Sequence, residues 1–278
     1  MEKEKSFKVL KRSGEEVGFS FDKLRASLRH TGAEHELIST IVDTVSDELY
    51  AGITTEEIYN RAYAMLKKNR SVYASKYKLK KAIYELGPTG FPFEKFIGNI
   101  LKYSGYECTI GAIVEGACVD HEVDVLAYKN NSVYMVECKF HSDPSNKCDV
   151  KIPLYINSRY KDIQRKWNSN NTKRLKEGWV VTNTRFTKDA IQYGECAGLY
   201  LMSWDYPAAN SLKERINRLG LHPVTCSTLL SRREKDFLLE HGIVLCRDLI
   251  TQEFMLDHMG VSDERKDRII SDMKQLCN

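Results

Sequence analysis

The spacing of apolar and polar positions changes character several times along the chain. Residues 7–20 (FKVLKRSGEEVGFS) read as two short β-runs around Gly14, with Ser-Gly supplying a hairpin turn. A helix is expected from Phe21-Asp22, with Leu24, Leu28 and Ile38 or Ile41 on its apolar positions. Thr54 followed by Glu57 has the spacing of a capping box and starts a helix with Ile58, Ala62, Met65 and Leu66 on one face. A third helix is predicted over roughly 71–86, carrying Tyr73, Tyr77, Lys80, Lys81 and Tyr84. The run GPTGFP at 87–92 then concentrates two glycines and two prolines in six residues and marks a boundary.

Beyond it, Phe93, Phe96, Ile97, Ile100 and Leu101 repeat with helical spacing, Glu94 lies in the first turn off that stripe, and Gly105 ends the helix. HEVDVLAY alternates, with Val123, Val125 and Ala127 on one face and Glu122, Asp124 and Leu126 on the other. NNS at 130–132 supplies a turn, and SVYMVECKF forms the second strand of a hairpin. By strand parity Val133, Met135, Glu137 and Lys139 share one face, and Tyr134, Val136, Cys138 and Phe140 the other. An acid and an amine two residues apart on an otherwise apolar strand are costly to bury unless they are paired or hold a metal. Asp124 can meet Glu137 across the hairpin. Two carboxylates brought together repel, a divalent cation resolves the repulsion, and hard oxygen donors point to Mg²⁺ or Mn²⁺ rather than zinc.

A second boundary falls near WDYPAAN, 204–210, after which the pattern is helical to the end. The chain of 278 residues therefore divides into parts spanning 1–88, 89–206 and 207–278. At 42% hydrophobic and 29% charged it has a globular composition. The absence of a run of about 18 apolar residues excludes a membrane span, and the N-terminal MEKEKSFKV has no apolar signal region, so a cytoplasmic protein is expected. None of the eight cysteines forms a CxxC pair, and free thiols, mostly buried, are expected. The net charge of +4 divides as +3, +1 and zero over the three parts. Within the middle part, 151–176 holds eight basic residues and one acid, Asp162, interleaved with Tyr155, Tyr160 and Trp167. Such a stripe either grips a phosphate backbone or forms a solvated helix face.

The combination V-L-K-R-S-G, F-S-F-D-K-L, I-T-T-E-E-I and Y-A-S-K-Y-K-L-K-K resembles the ATP-cone, the adenine-nucleotide regulatory module of ribonucleotide reductases, over about residues 7–84. The resemblance implies ATP or dATP as regulatory ligand, with Lys11, Arg12, Lys23, Thr55 and Lys81 in the binding site, and with Tyr59 where some members have histidine. The residues alone leave open whether Lys11 and Arg12 are a solvated pair, since neighbours on a strand point to opposite faces. Asp124, twelve residues, then Glu137-Cys138-Lys139, with F-E-K-F upstream and G-W-V-V-T-N-T-R-F-T-K-D-A downstream, resembles the Mrr-type PD-(D/E)xK restriction endonuclease core over about 91–206. That likeness implies Asp124, Glu137 and the Cys138 backbone carbonyl as metal ligands and Lys139 orienting the attacking water. Glu94 would act in the metal's outer shell or on a second metal, or would merely favour its helix N-terminus. Lys147, Lys151, Arg159, Lys161, Arg165 and Lys166 are offered to DNA phosphates, while His121 and His141 flank the site as bystanders. In the last part, the H-G-I-V and M-G-V-S turns weakly resemble helix-hairpin-helix modules, although zero net charge favours an accessory or oligomerising role.

The expected architecture is an α/β multidomain chain: a β-hairpin plus helices in the ATP-cone, a restriction-endonuclease-like α/β core with a mixed sheet, and a helical C-terminal domain. The expected function is a Mg²⁺-dependent DNA endonuclease gated by ATP or dATP, with ATP holding it inactive, used by analogy in antiphage restriction. A homodimer or tetramer is expected because nucleases that cut both strands usually pair two sites. The alternatives are a nucleotide-dependent DNA-binding regulator with an inactive core, and an RNase.

Overall fold

The computed structural model describes residues 7–11, 14–170 and 174–278. Strands β1 (Lys8–Leu10) and β2 (Glu16–Gly18) form the expected antiparallel hairpin, with Val9 opposite Val17. Gly14 turns it at φ 81°, in the left-handed region that favours glycine. Helices α1 (Phe21–Arg29), α2 (His35–Asp47) and α3 (Thr55–Asn69) close over the hairpin around Leu28, Ile41, Ile53 and Leu66. The capping box predicted at Thr54 and Glu57 is present in both directions. The continuous helix expected from Phe21 is instead α1 and α2, because the Thr31 hydroxyl bonds the Leu28 carbonyl at 2.6 Å and accepts from the Ala33 N–H at 3.2 Å.

The helix predicted over 71–86 is also two, α4 (Ser71–Tyr77) and α5 (Leu79–Tyr84). Lys78, between them, reaches Glu85 at 2.6 Å and the Thr225 carbonyl at 3.1 Å, while the Thr225 hydroxyl bonds the Ala82 carbonyl at 2.7 Å. These contacts tie α5 to the C-terminal part of the chain. Val72, Leu79, Ala82, Ile83 and Leu86 accordingly pack in one core with α6 (Phe91–Tyr103) and the C-terminal helices. The Gly/Pro punctuation at 87–92 is a turn within that shared core rather than a gap between two cores.

A five-stranded mixed sheet follows, in the order β3 (Glu107–Glu115), β4 (Asp120–Lys129), β5 (Ser132–Lys139), β7 (Arg174–Thr182), β9 (Tyr200–Met202). The first three strands are antiparallel, and Asn130 and Asn131 turn β4 into β5 with φ 49° and 58°, as a tight hairpin requires. β5, β7 and β9 run parallel, joined through α7 (Lys151–Asn170) and α8 (Lys188–Cys196). A small parallel pair, β6 (Lys147–Cys148) with β8 (Arg185–Phe186), lies beside the sheet. On one face α6 buries Phe93, Phe96, Ile97, Ile100 and Leu101 completely. Each such side chain contributes about 1.5–3 kcal/mol relative to exposure. On the other face α7 and α8 cover Val133, Met135 and Val180 with Ile156, Tyr160, Ile163 and Ala190.

The chain ends in α9 (Leu212–Leu219), a 3₁₀ turn at Val224–Cys226, α10 (Arg232–Glu240), α11 (Cys246–Thr251), α12 (Phe254–His258) and α13 (Asp263–Cys277), as the helical pattern predicted. The H-G-I-V turn faces α6: a methyl group on Gly242 would lie 2.6 Å from Lys95 Nζ. All eight cysteines are free, with Cys148, Cys226 and Cys246 buried, Cys108, Cys138 and Cys277 half-buried, and Cys118 and Cys196 exposed.

The loop between β3 and β4 is fastened to α7 through Asp162. Its carboxylate accepts from the Cys118 N–H at 3.1 Å and contacts His121 Nε2 at 2.9 Å and Arg165 at 2.9 Å. Gly116 makes the approach possible, because a Cβ there would collide with Asp162 Oδ2 and the Val119 carbonyl. Gly116→Ala should therefore destabilise the fold by about 1–3 kcal/mol, the usual cost of overpacking. Chemical denaturation measures this, and an unchanged midpoint would remove Asp162 as the clamp.

Candidate active site at the open end of the β4–β5 hairpin

β4 and β5 stay paired from Lys129↔Ser132 to Val125↔Val136 and then part. Continuing that register places Asp124 opposite Glu137, which is the physical content of the twelve-residue spacing. Where the strands part, the Asp124 side chain replaces the lost partner. Its Oδ2 accepts the Cys138 N–H at 2.7 Å. In an extended strand the N–H and C=O of one residue face the same neighbour. The Cys138 carbonyl consequently opens toward Asp124 rather than toward β7.

The alternation expected along β4 breaks at this point. Val125 and Ala127 belong to the α6-side core as expected, but Val123 packs on the α7 side. Parity on β5 holds, with Val133 and Met135 on the α7 face and Tyr134 and Val136 on the α6 face. Glu137 follows Met135 toward α7 and is 5% exposed. There Arg159 meets it, Nη1 to Oε1 2.8 Å, with both side chains largely buried. The contact is an ion pair without a well-aligned hydrogen bond, since Glu137 Oε1 and Arg159 Nε have no hydrogen-bond partner among the described residues.

Burial, and then the Asp124 charge, push the Glu137 carboxyl up to about 8, despite Arg159. Burial, and then Asp124 and Glu122, push Glu94 up to about 7. Asp124 is raised as well, mainly by burial, against the bond from Cys138. The Asp124 charge thus acts on both Glu94 and Glu137, and the field of Lys139 reaches both Asp124 and Glu137. Among the described residues Lys139 has no ion-pair partner.

These oxygens suit a hard divalent cation: two hindered carboxylates, one with an unsatisfied oxygen, beside a backbone carbonyl. Asp124, Glu137 and the Cys138 carbonyl are the groups that would hold it. Among the described residues no group of three or more His, Cys, Asp or Glu side chains converges as a ready metal cage. The remaining positions would fall to solvent or substrate oxygens, the usual habit of Mg²⁺.

Of the six basic residues offered to DNA, three are engaged within the protein. Arg159 holds Glu137, Arg165 holds Asp162, and Lys166 holds Glu115 at 2.6 Å. Lys147, Lys151 and Lys161 remain exposed. The role of Arg159 was legible: Ile156, Arg159, Tyr160 and Ile163 share one helical stripe, so Arg159 faces the sheet rather than solvent. His121 is bound to Asp162, and His141 donates its N–H to Asn183 at 2.9 Å with Nε2 3.3 Å from Cys148 Sγ; both belong to the scaffold.

In the N-terminal part, Thr55, Tyr59, Lys81 and Tyr84 line a cavity of about 510 Å³ closed by Ser142 and Pro144 from the loop after β5. Tyr59 stacks on Tyr77 at 5.0 Å, and its hydroxyl is buried with no hydrogen-bond partner among the described residues. Tyr59 also stacks on Tyr63 at 6.0 Å, so its ring is engaged within the protein. Thr55 and Lys81 are brought together here. Lys11 lies past the end of β1, not within a strand as expected, and pairs with Glu15 at 2.8 Å. Its neighbour Leu10 bridges Thr54, so Lys11 borders the cavity without lining it. Lys23 is exposed on α1, where its N–H bonds Ser20 Oγ at 3.3 Å, and it does not line the cavity. Arg12 lies outside the described residues.

Comparison with known proteins defines the class first. Residues 7–85 match the ATP cone domain and residues 88–205 match the restriction endonuclease family designated Mrr_cat. The chain therefore carries an ATP-cone followed by a restriction endonuclease domain. Residues 222–277 match the AF1548-like C-terminal family. An uncharacterized protein of Archaeoglobus fulgidus is 30% identical over 181 residues, covering 65% of this chain and 99% of that protein, and the chain belongs to its family. The crystal structure of AF1548, a protein of unknown function, is 28% identical with a TM-score of 0.56, over 68% of this chain and 98% of that one. The MspJI restriction endonuclease in complex with a 27-mer oligonucleotide is a slighter likeness, 14% identical with a TM-score of 0.31, over 70% of this chain and 39% of that one. No helix among the described residues is long and apolar enough to cross a membrane.

The raised carboxyls give the site a pH signature. Glu137 moves from an ordinary 4.5 to about 8, so between these values the folded chain holds a proton that the unfolded chain has released. Stability then falls as pH rises through that window. The metal-free protein should lose more melting temperature across it than Glu137→Gln, which carries no such proton. Mg²⁺ at the upper end should restore the parent and leave the variant unmoved. Equal slopes in the two proteins would contradict the buried, crowded carboxyl.

Proposed function

We propose that the protein is a divalent-metal-dependent DNA endonuclease whose activity is set by ATP or dATP in the ATP-cone. The observation that carries the reading is Asp124 held by the Cys138 N–H at 2.7 Å, which gathers Asp124, Glu137 and Lys139 at the mouth of one hairpin. A bound cation would neutralise charge on the scissile phosphate. Asp124 and Glu137 hold their oxygens in place, Asp124 through the backbone of β5 and Glu137 through Arg159. Lys139 directs its ammonium at the attacking water and at the charge that builds on the phosphate, an interaction stronger in the transition state than in the ground state. Glu94, raised to about 7, can accept or return a proton near neutral pH. Use in antiphage restriction, a cytoplasmic location and a homodimeric or tetrameric assembly belong to the same proposal.

A non-cleaving, DNA-binding core has one observation in its favour: Arg159 already occupies Glu137 Oε1. Cleavage of plasmid DNA with Mg²⁺ or Mn²⁺ separates the two readings, with RNA as a parallel substrate. Lys139→Ala should lose about 10²-fold or more in cleavage while binding DNA within about twofold of the parent. Undiminished cleavage by this variant removes the assigned site. Absence of cleavage by the parent under every metal and nucleotide condition favours the binding-only core. ATP should suppress cutting, and equal rates with and without nucleotide would remove the gate.

A further inference from the structure

A second cavity, of about 460 Å³, lies where the three parts of the chain meet. Lys78 and Glu85 flank it from α5, Ser142 from the loop after β5, and Arg232 and Lys235 from the start of α10. Lys235 is only 8% exposed, and among the described residues no carboxylate lies within ion-pair distance of it. Lys78 is also largely buried, and the cleft's inner carboxylate, Glu85, is already spent on it at 2.6 Å. The other acid lining the cleft, Asp236, is half exposed and faces Arg232 at 3.8 Å. Two largely buried ammonium groups therefore share one partly exposed carboxylate. Burial and the proximity of Lys78 lower Lys235 to about 8, with Glu85 only partly offsetting them, as expected where two cations share one counter-charge. The first turn of α10 adds the positive end of its dipole.

We propose that this junction cleft is a phosphate-binding site, with Lys78 and Lys235 as its ligands. Lys78 already donates to Glu85 and the Thr225 carbonyl, so the two ammonium groups keep up to four donors, which a tetrahedral oxyanion can satisfy from several oxygens at once. The cleft shares Tyr84, Glu85 and Ser142 with the cavity that holds Tyr59 and Lys81. The phosphate is thus either the tail of a nucleotide seated in that neighbouring cavity or a free phosphate. In both cases the anion joins α5, the loop that follows Lys139 and the C-terminal helices. The site stands apart from the nuclease reading, and its test involves no DNA.

Isothermal titration of the full chain with inorganic tripolyphosphate tests it. The parent should bind saturably. Lys235→Met should bind about tenfold more weakly or worse, and without ligand it should melt no lower than the parent, because a buried unpaired charge has gone. Glu85→Gln should bind more tightly, since it removes the carboxylate that competes with the anion. Lys188→Ala, exposed on α8 and lining neither cavity, should bind tripolyphosphate within about twofold. ATP binding about tenfold tighter than tripolyphosphate identifies a nucleotide tail, and orthophosphate binding as tightly as ATP identifies free phosphate. The assignment is overturned by no saturable binding to the parent at millimolar tripolyphosphate, by parent-like binding to Lys235→Met, or by weaker binding to Glu85→Gln.

Discussion

The acidic site depends on a single hydrogen bond made where two strands separate. Past Val125↔Val136 the β4–β5 ladder has no further backbone partner to offer the Cys138 N–H, and Asp124 Oδ2 supplies one at 2.7 Å. A buried N–H left without a partner would cost about 1–3 kcal/mol. The bond therefore fixes the side chain that a metal-holding site needs and also ends the ladder cleanly. It determines which way the Cys138 carbonyl faces and brings Asp124 close enough for its charge to raise the Glu137 carboxyl.

Such a concentration of acid is unfavourable unless something positive compensates it, and the molecule provides two unlike compensations. Arg159 meets Glu137 from α7, and Lys139 sits two residues along the same strand. The guanidinium is planar and is carried by α7; it suits holding a carboxylate still. The ammonium is a compact charge on a mobile stem, and it has no ion-pair partner among the described residues. The division leaves one cation to the scaffold and one available to a substrate. α7 can carry Arg159 to this place because Asp162, on the same helix, is fastened through Cys118 and His121 to the loop preceding β4. Removing Asp162 would loosen the element that positions Arg159.

The acidic site and the parity of β5 were readable in the sequence because both follow from a repeat of two along a short strand with a short turn. The hairpin at Gly14 and the Thr54 capping box were readable for the same reason, being local. The features that hydrophobic spacing does not show are those in which a side chain bonds the backbone, either close by or across from a distant element. Thr31 ends α1 where hydrophobic spacing alone would carry a helix onward. Lys78 interrupts the helix over 71–86 through partners that include Thr225, remote in the chain. The basic stripe of 151–176 leaves a phosphate grip and a solvated face both open, because charge alone does not say which face of the helix each residue occupies. On α7, Arg159 lies among the buried residues, and its charge is used internally.

The arrangement of cores bears on how the ATP-cone could influence the acidic site. α5 does not belong to the hairpin's own core, but packs with α6, the sheet and the C-terminal helices. Phe140, the residue after Lys139, lies against Gly87, where an added Cβ would be 2.7 Å from its ring, and its ring centroid is 5.7 Å from that of Phe93 on α6. Two residues further on, Ser142 lines both cavities that flank α5. A ligand wedged between α5 and this loop would press on the segment that carries Lys139 without crossing any mobile linker. Because linkage is reciprocal, a substrate that fixes Lys139 must favour or oppose that ligand by the same factor. A dense core also deforms poorly by small degrees, so a displacement of α5 could not be absorbed at Phe140, which packs directly between Gly87 and Phe93.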